Sequence, residues 1–165
     1  MKSKNTLTKA LLYITILIFF LYNNNFSQNT SFFAFSFGKF NALEKDIGVL
    51  ESGIELRANI TDFLTLNQII GIMTTSKMSN YIYLGLCKDI NFDSYFITPS
   101  FAIGLYEKGG GKDLGNHLEF RSQVEISYII KKGLRVGVSF NHISNGGFAD
   151  YNPGAESISF FWILY

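Results

Sequence analysis

The sequence has a single cysteine, Cys87, so no intramolecular disulfide bond can stabilise the fold. Two histidines and this one cysteine also provide little material for a metal site. No run after residue 28 approaches the roughly 20 apolar residues that a membrane-spanning helix requires. The 165 residues are the length of one domain, and its core or a membrane must stabilise it.

The N-terminal segment has the pattern of a secretory signal peptide. Three lysines and no acid precede an apolar run of 13 residues, Ala10–Tyr22, which is followed by Asn23–Asn25. A basic start and a short apolar centre are typical of such a peptide. We therefore predict a cleaved signal peptide at residues 1–28, with an approximate boundary, and a mature domain at residues 29–165. An uncleaved N-terminal anchor is the alternative.

The charge of the chain argues against a nucleic-acid partner. Removal of residues 1–28 takes away three lysines and no acid, which changes the formal net charge from +1 to −2. No strong basic field remains, and binding to nucleic acid depends on such a field.

The mature part is apolar and aromatic, but its apolar residues are dispersed, which is typical of a transmembrane β-barrel. The segment Gly115–Ile130 alternates most clearly. Its even positions are mostly apolar, and its odd positions are His117, Glu119, Arg121, Gln123, Glu125 and Ser127. Because side chains alternate between the faces of a strand, the polar face can line a barrel interior while the apolar face meets lipid. A soluble all-β domain is the alternative.

Seven other segments are predicted as strands on the same grounds: Ser31–Phe40, Ile47–Ala58, Phe63–Thr74, Asn80–Asp89, Tyr95–Tyr106, Gly133–His142 and Glu156–Tyr165. Segments of about ten residues suit a tilted membrane-spanning strand, and eight is the smallest common strand number. We therefore predict an all-β fold, an eight-stranded antiparallel transmembrane β-barrel.

The predicted connections fit this count. Asn59–Asp62, Ile90–Asp93 and Ile130–Gly133 are short turns, whereas Glu107–Asp113 and Ile143–Ala155 are long loops. With both termini on the periplasmic side, the two long loops face outwards, as is usual for such barrels.

Most charged residues of the predicted strands are interpreted as paired interior groups rather than catalytic ones: Glu51, Glu55, Arg57, Glu119, Arg121 and Glu125. His117 shares the polar face of its strand and is interpreted as a hydrogen-bonded interior residue. Cys87 is interpreted as inert packing.

Polar residues replace apolar ones at lipid-facing positions near the end of the seventh strand. His142 and Ser144 continue the apolar positions that include Phe140. Glu156 precedes Ile158 on one parity of the last strand, although the other parity is also partly apolar. Lysine or arginine on the lipid face costs about 2–4 kcal/mol at mid-membrane, and about 0–1 kcal/mol near the interface. The three polar groups are therefore expected to be paired and close to the outer rim.

These three residue types are those of a serine hydrolase triad. A histidine takes the serine proton near neutral pH, and a carboxylate on the other ring nitrogen fixes the tautomer. The alternative is a loop rich in asparagine, glycine and serine beside a rim histidine. Spacing alone favours that alternative, because such triads are recognised by geometry.

The stretch also resembles the lipid A 3-O-deacylases of the PagL type. The resemblance runs through His142–Asn145, then Asn152–Glu156, then the aromatic last strand that ends at Tyr165. The rest of the chain matches in architecture only, as an exported eight-stranded barrel of similar length.

The resemblance implies a role for each residue of the site. Ser144 would be the nucleophile, His142 the base and Glu156 the carboxylate that orients it. Asn145 and Asn152 would help to form the oxyanion hole, with Asn145 acting through its backbone N–H or its amide.

The implied reaction is hydrolysis of the acyl chain at the 3-position of lipid A, without metal or cofactor, in the bacterial outer membrane. The expected partners are then the lipid A substrate and the outer membrane. The sequence does not decide between a monomer and a homodimer. Two alternatives remain: a hydrolase directed at phospholipids, and a non-enzymatic barrel with a structural or adhesive role.

Overall fold

The structure is a computed structural model that describes residues 31–44, 49–59 and 66–164. The predicted signal peptide lies outside this range. Within the described residues, no helix has the length and apolar character needed to cross a membrane.

Nine strands follow one another along the described chain: β1 Phe32–Phe40, β2 Val49–Ala58, β3 Asn67–Thr75, β4 Asn80–Cys87, β5 Ile90–Phe92, β6 Tyr95–Glu107, β7 Leu118–Lys131, β8 Leu134–Ser144 and β9 Ala155–Leu164. All pairings are antiparallel, β9 pairs with β1, and β4 pairs with β6. Eight strands thus close into a barrel, and β5 pairs only with the start of β6. The predicted fold class is confirmed.

Two segments differ from the prediction. Ile90–Phe92 was expected in a turn but forms β5, because β6 extends beyond β4 and the chain folds back on it through Asp93, whose φ is 60°. His117 was expected in the interior, but β7 begins one residue later. The His117 side chain is 80% exposed, with its Nδ1 3.2 Å from the Tyr106 carbonyl oxygen. The predicted interior position of His117 is therefore wrong, whereas the predicted hydrogen bond is present.

The two faces of the strands separate as the alternation predicts. Apolar residues such as Ile70, Leu84 and Phe160 are exposed on the outer wall. The interior face of β9 consists of Ser157, Ser159, Phe161 and Ile163, all of which are buried. Glu156 therefore faces the lipid side.

The interior contains a charged centre with apolar packing towards each end. Arg57 bonds Glu55 and Glu125, and Arg121 bonds Glu55 at 2.7 Å. Glu51 accepts hydrogen bonds from two serine hydroxyls instead of a cation. Towards one end, four apolar residues fill the interior: Phe32, Ala34, Phe161 and Ile163.

The other end carries the connections that follow β1, β3, β6 and β8, and we call it the long-loop end. Phe40, Tyr106 and Leu114 pack below these loops, where Phe40 stacks on Tyr106. Buried Cys87 belongs to the same apolar cluster, in agreement with its interpretation as packing.

Candidate active site

The register of β8 and β9 brings a histidine and a carboxylate together on the outer wall. His142 pairs directly with Glu156 across the two strands. Glu156 Oε1 lies 3.0 Å from His142 Nδ1, a hydrogen-bonding distance. The side chains are 43% and 26% exposed, respectively. The contact therefore holds the ring while leaving it accessible from the lipid side.

Ser144 is the last residue of β8, two residues beyond His142 and on the same face. The strand extends past the predicted end at His142 because Ser144 still pairs with Phe120 of β7. Within the described ranges, the Ser144 hydroxyl makes no hydrogen bond, and none joins it to His142. The structure thus brings His142 and Glu156 into contact and leaves Ser144 beside them.

Gly154 forms a surface against which the imidazole lies. Its φ is +61°, in the left-handed region that glycine adopts without strain. A Cβ at this position would lie 2.6 Å from His142 Cε1 and 3.2 Å from His142 Nε2. The imidazole can therefore hold this position only because residue 154 has no side chain.

The two asparagines of the site are joined to each other. The backbone N–H of Asn145 donates to Asn152 Oδ1 at 3.1 Å. The buried side-chain amide of Asn145 donates to the carbonyls of Leu114 and Tyr151, at 3.0 and 2.9 Å. Both of its amide hydrogens are thereby used, whereas Asn152 is exposed.

The loop between β6 and β7 supports the site, which sequence reasoning missed. Leu114 is buried and provides one carbonyl acceptor for Asn145. The next residue, Gly115, has a φ of +89°, and a Cβ there would collide with the Tyr151 carbonyl oxygen. Gly115 itself could be seen in the sequence, but its close approach to Tyr151 of the β8–β9 loop could not.

An aromatic row runs along the wall beside the candidate nucleophile. Phe120 pairs with Ser144 in the sheet and stacks on Phe101 of β6, with ring centroids 6.0 Å apart. Phe148 of the β8–β9 loop also contacts Phe120, with ring centroids 5.6 Å apart. An ester bound at Ser144 would therefore have an apolar surface next to it.

No group of three or more histidine, cysteine, aspartate or glutamate side chains in residues 31–44, 49–59 and 66–164 is arranged to hold a metal ion. The candidate site itself contains a hydroxyl, an imidazole and a carboxylate. This set is suited to transferring an acyl group through a serine.

Solved structures with a similar fold include membrane barrels. The outer membrane enzyme PagL is similar with a TM-score of 0.65 and 19% identity, covering 81% of this chain and 99% of that one. A de novo designed transmembrane β-barrel has a TM-score of 0.63 and 8% identity, covering 86% and 98%. Neisserial surface protein A has a TM-score of 0.52 and 10% identity, covering 81% and 94%.

Sequence comparison gives the family. A search of curated proteins found no match. The model of the lipid A 3-O-deacylase (PagL) family matches residues 57–164, which is more than half of the chain and contains the whole candidate site. The chain therefore belongs to the lipid A 3-O-deacylase (PagL) family of outer-membrane enzymes.

Proposed function

We propose that this protein hydrolyses the ester of the acyl chain at the 3-position of lipid A, with Ser144 as nucleophile, His142 as general base and Glu156 as the carboxylate that orients His142. The observation that carries the proposal is the contact of His142 Nδ1 with Glu156 Oε1, on the lipid-facing wall beside Ser144. With Nδ1 held by the carboxylate, Nε2 is the ring nitrogen available to take a proton.

The reaction proceeds in two stages. Ser144 Oγ attacks the acyl carbonyl carbon while His142 Nε2 accepts the hydroxyl proton. The tetrahedral intermediate collapses, and the sugar oxygen leaves with that proton. Water then attacks the acyl-serine, again with His142 as base, and releases the fatty acid. The Ser144–His142 hydrogen bond forms on substrate binding, because catalytic hydrogen bonds often tighten only in the complex.

We assign the oxyanion contact to Asn152. The Asn145 backbone N–H holds Asn152 Oδ1, which leaves Asn152 Nδ2 free to donate. The Asn145 amide is engaged with two carbonyls, so its contribution is to position the loop. The backbone N–H and the side-chain amide of Asn145, the two donors expected for the oxyanion hole, are thus both engaged within the loops.

The position of the site suits a membrane lipid. A triad on the outer wall is reached sideways from the bilayer, and the long-loop end would face outwards, where lipid A resides. The aromatic row next to Ser144 provides apolar contact for the acyl chain during the reaction.

The test is mass spectrometry of lipid A from outer membranes that contain each variant. The wild-type protein should remove one 3-O-acyl chain. Ser144→Ala and His142→Ala should abolish the change, because loss of either group in a serine hydrolase costs on the order of 10⁶ in kcat. Glu156→Gln should lower the rate by on the order of 10⁴.

Ser122 provides a matched control. It is an exposed serine of β7 that pairs directly with His142, so it is the other hydroxyl beside the imidazole. Ser122→Ala should remain active. Loss of activity in Ser122→Ala but not Ser144→Ala would contradict the assignment of the nucleophile.

Two other outcomes would replace the proposal. Release of fatty acid from phospholipids, with lipid A unchanged, would indicate a phospholipid hydrolase. Unchanged membrane lipids with the wild-type protein would indicate a non-enzymatic barrel.

A further inference from the structure

Lys39 occupies an unusual position on the outer wall. In the long-loop half of the described strands, it is the one lysine or arginine on a lipid-facing position. It pairs with Ile158 of β9, which is exposed on the same face, and follows Phe37 on the outward positions of β1. A lysine there requires a reason, since the lipid face otherwise carries apolar residues.

The ammonium of Lys39 reaches up to the level of the candidate triad. Lys39 Nζ donates to the Ala42 carbonyl at 3.5 Å, and the Ala42 N–H donates to the Glu156 carbonyl at 2.7 Å. The ammonium thus lies one strand away from Glu156 and two strands away from His142. With strands spaced about 4.8 Å apart, this puts it about 10 Å from the strand of the nucleophile.

Lys39 differs in its charge partners from two other lysines at this end, Lys108 and Lys112. Lys112 bonds Glu44, and Lys108 bonds Asp113 at 3.0 Å. Lys39 makes no ion pair with any residue in the described part of the chain. A lysine that extends its stem along an apolar wall and presents its charge at the rim is suited to meet the headgroup of a lipid.

We propose that Lys39 binds a phosphate group on the sugar headgroup of the lipid whose ester is cleaved at Ser144. The proposal rests on the proposed function and adds a specificity residue to it. Two strand spacings are too far for contact with the reacting ester, but they are comparable with the length of a disaccharide. Lys39 therefore acts on substrate binding and not on the chemical step.

The test compares two substrates in zwitterionic detergent micelles, phosphorylated lipid A and the same lipid after chemical dephosphorylation. Lys39→Ala should raise KM for the phosphorylated lipid about tenfold and leave kcat unchanged, which is the size expected for one charge-assisted hydrogen bond. KM for the dephosphorylated lipid should not change. Lys39→Arg should restore most of the affinity, because it keeps the charge.

Lys77→Ala is the matched control. Lys77 is an exposed lysine of the β3–β4 turn, at the same end of the barrel but across it from the candidate triad on β8 and β9. It should leave both KM values unchanged. An equal rise in KM for both substrates in Lys39→Ala would overturn the proposal and indicate a structural role, and so would no change at all.

Direct binding separates this inference from the proposed function. Native mass spectrometry of Ser144→Ala, with and without Lys39→Ala, measures retention of phosphorylated lipid A when no cleavage occurs. If retention is lost when Lys39 is replaced by alanine, the inference is supported even if the wild-type protein proves inactive. If phosphatidylglycerol is retained equally well through Lys39, the residue is a general contact for anionic headgroups and the proposal is wrong.

Discussion

At Gly154 both the backbone conformation and the packing of the candidate base His142 require a residue without a side chain. A side chain there would have to adopt a φ of +61° and would also lie 2.6 Å from His142 Cε1. We expect Gly154→Ala to displace the imidazole and to lower kcat by about 10²-fold, the usual effect of a misplacement near 1 Å. The measurement is kcat on lipid A.

Gly147 provides the control for Gly154. Its φ is +83°, but no atom lies within 4 Å of the position that a Cβ would occupy. Gly147→Ala therefore introduces backbone strain of about 1–2 kcal/mol without a collision. If both variants lose the same activity, strain alone explains the effect and the contact with His142 is unimportant.

The two asparagines should separate catalysis from stability. Asn152→Ala should lower kcat by about 10²–10³-fold, as for loss of one oxyanion donor. Because Asn152 is exposed, the Tm of this variant should change little. Asn145 is fully buried and its side chain makes three hydrogen bonds. Asn145→Ala should therefore also lower the free energy of unfolding, by about 1–3 kcal/mol. Equal Tm values for both variants would contradict this division.

Strand parity placed His142, Ser144 and Glu156 on one outer wall from the sequence, because alternation is a local property. It could not show that the donors of the Asn145 side chain are engaged within the loops. That depends on Leu114 and Tyr151, which belong to two loops that meet only in the folded barrel. The catalytic roles of all these residues remain predictions.

Among the elements, strand existence was easier to predict than strand ends. β8 extends two residues past its predicted end because β7 offers a partner to Ser144. β7 begins at Leu118 and not at Gly115, since Gly115 adopts a φ of +89°. Both differences depend on contacts between strands and loops that a single segment does not contain.

The loops at the long-loop end are linked by an exposed cluster that should respond to pH. Lys112 and Asn41 donate hydrogen bonds to Glu44, and these bonds hold the pKa of the Glu44 carboxyl below its usual value. A lowered pKa in the folded state stabilises the link above the unfolded pKa. That stabilisation is lost as the pH falls through the range from the unfolded pKa down to the lowered pKa.

Hydrogen exchange measures this effect. Protection of Asn41–Glu44 should fall as the medium is acidified below that range, and Lys112→Ala should show low protection at every pH. Because the Glu44 carboxylate is exposed, the change should also weaken with added salt. A pH response that persists in Lys112→Ala would contradict the assignment to Glu44.

For the whole molecule, the charged centre of the barrel is the feature most sensitive to mutation. Arg57 bonds both Glu55 and Glu125 in a buried setting. Arg57→Ala would leave the two carboxylates without this cation and should reduce the free energy of unfolding by about 3–5 kcal/mol. Urea unfolding in lipid vesicles measures this. Lys108→Ala, which breaks an exposed pair, should leave the free energy of unfolding almost unchanged.

The placement of the candidate triad on the outer wall has a kinetic consequence. Encounter between enzyme and substrate would take place within the plane of the bilayer, so the rate should follow the mole fraction of substrate in the surface rather than its bulk concentration. Added inert lipid or detergent should therefore slow the reaction by surface dilution at constant total substrate. A triad that faced the barrel interior would not impose this dependence.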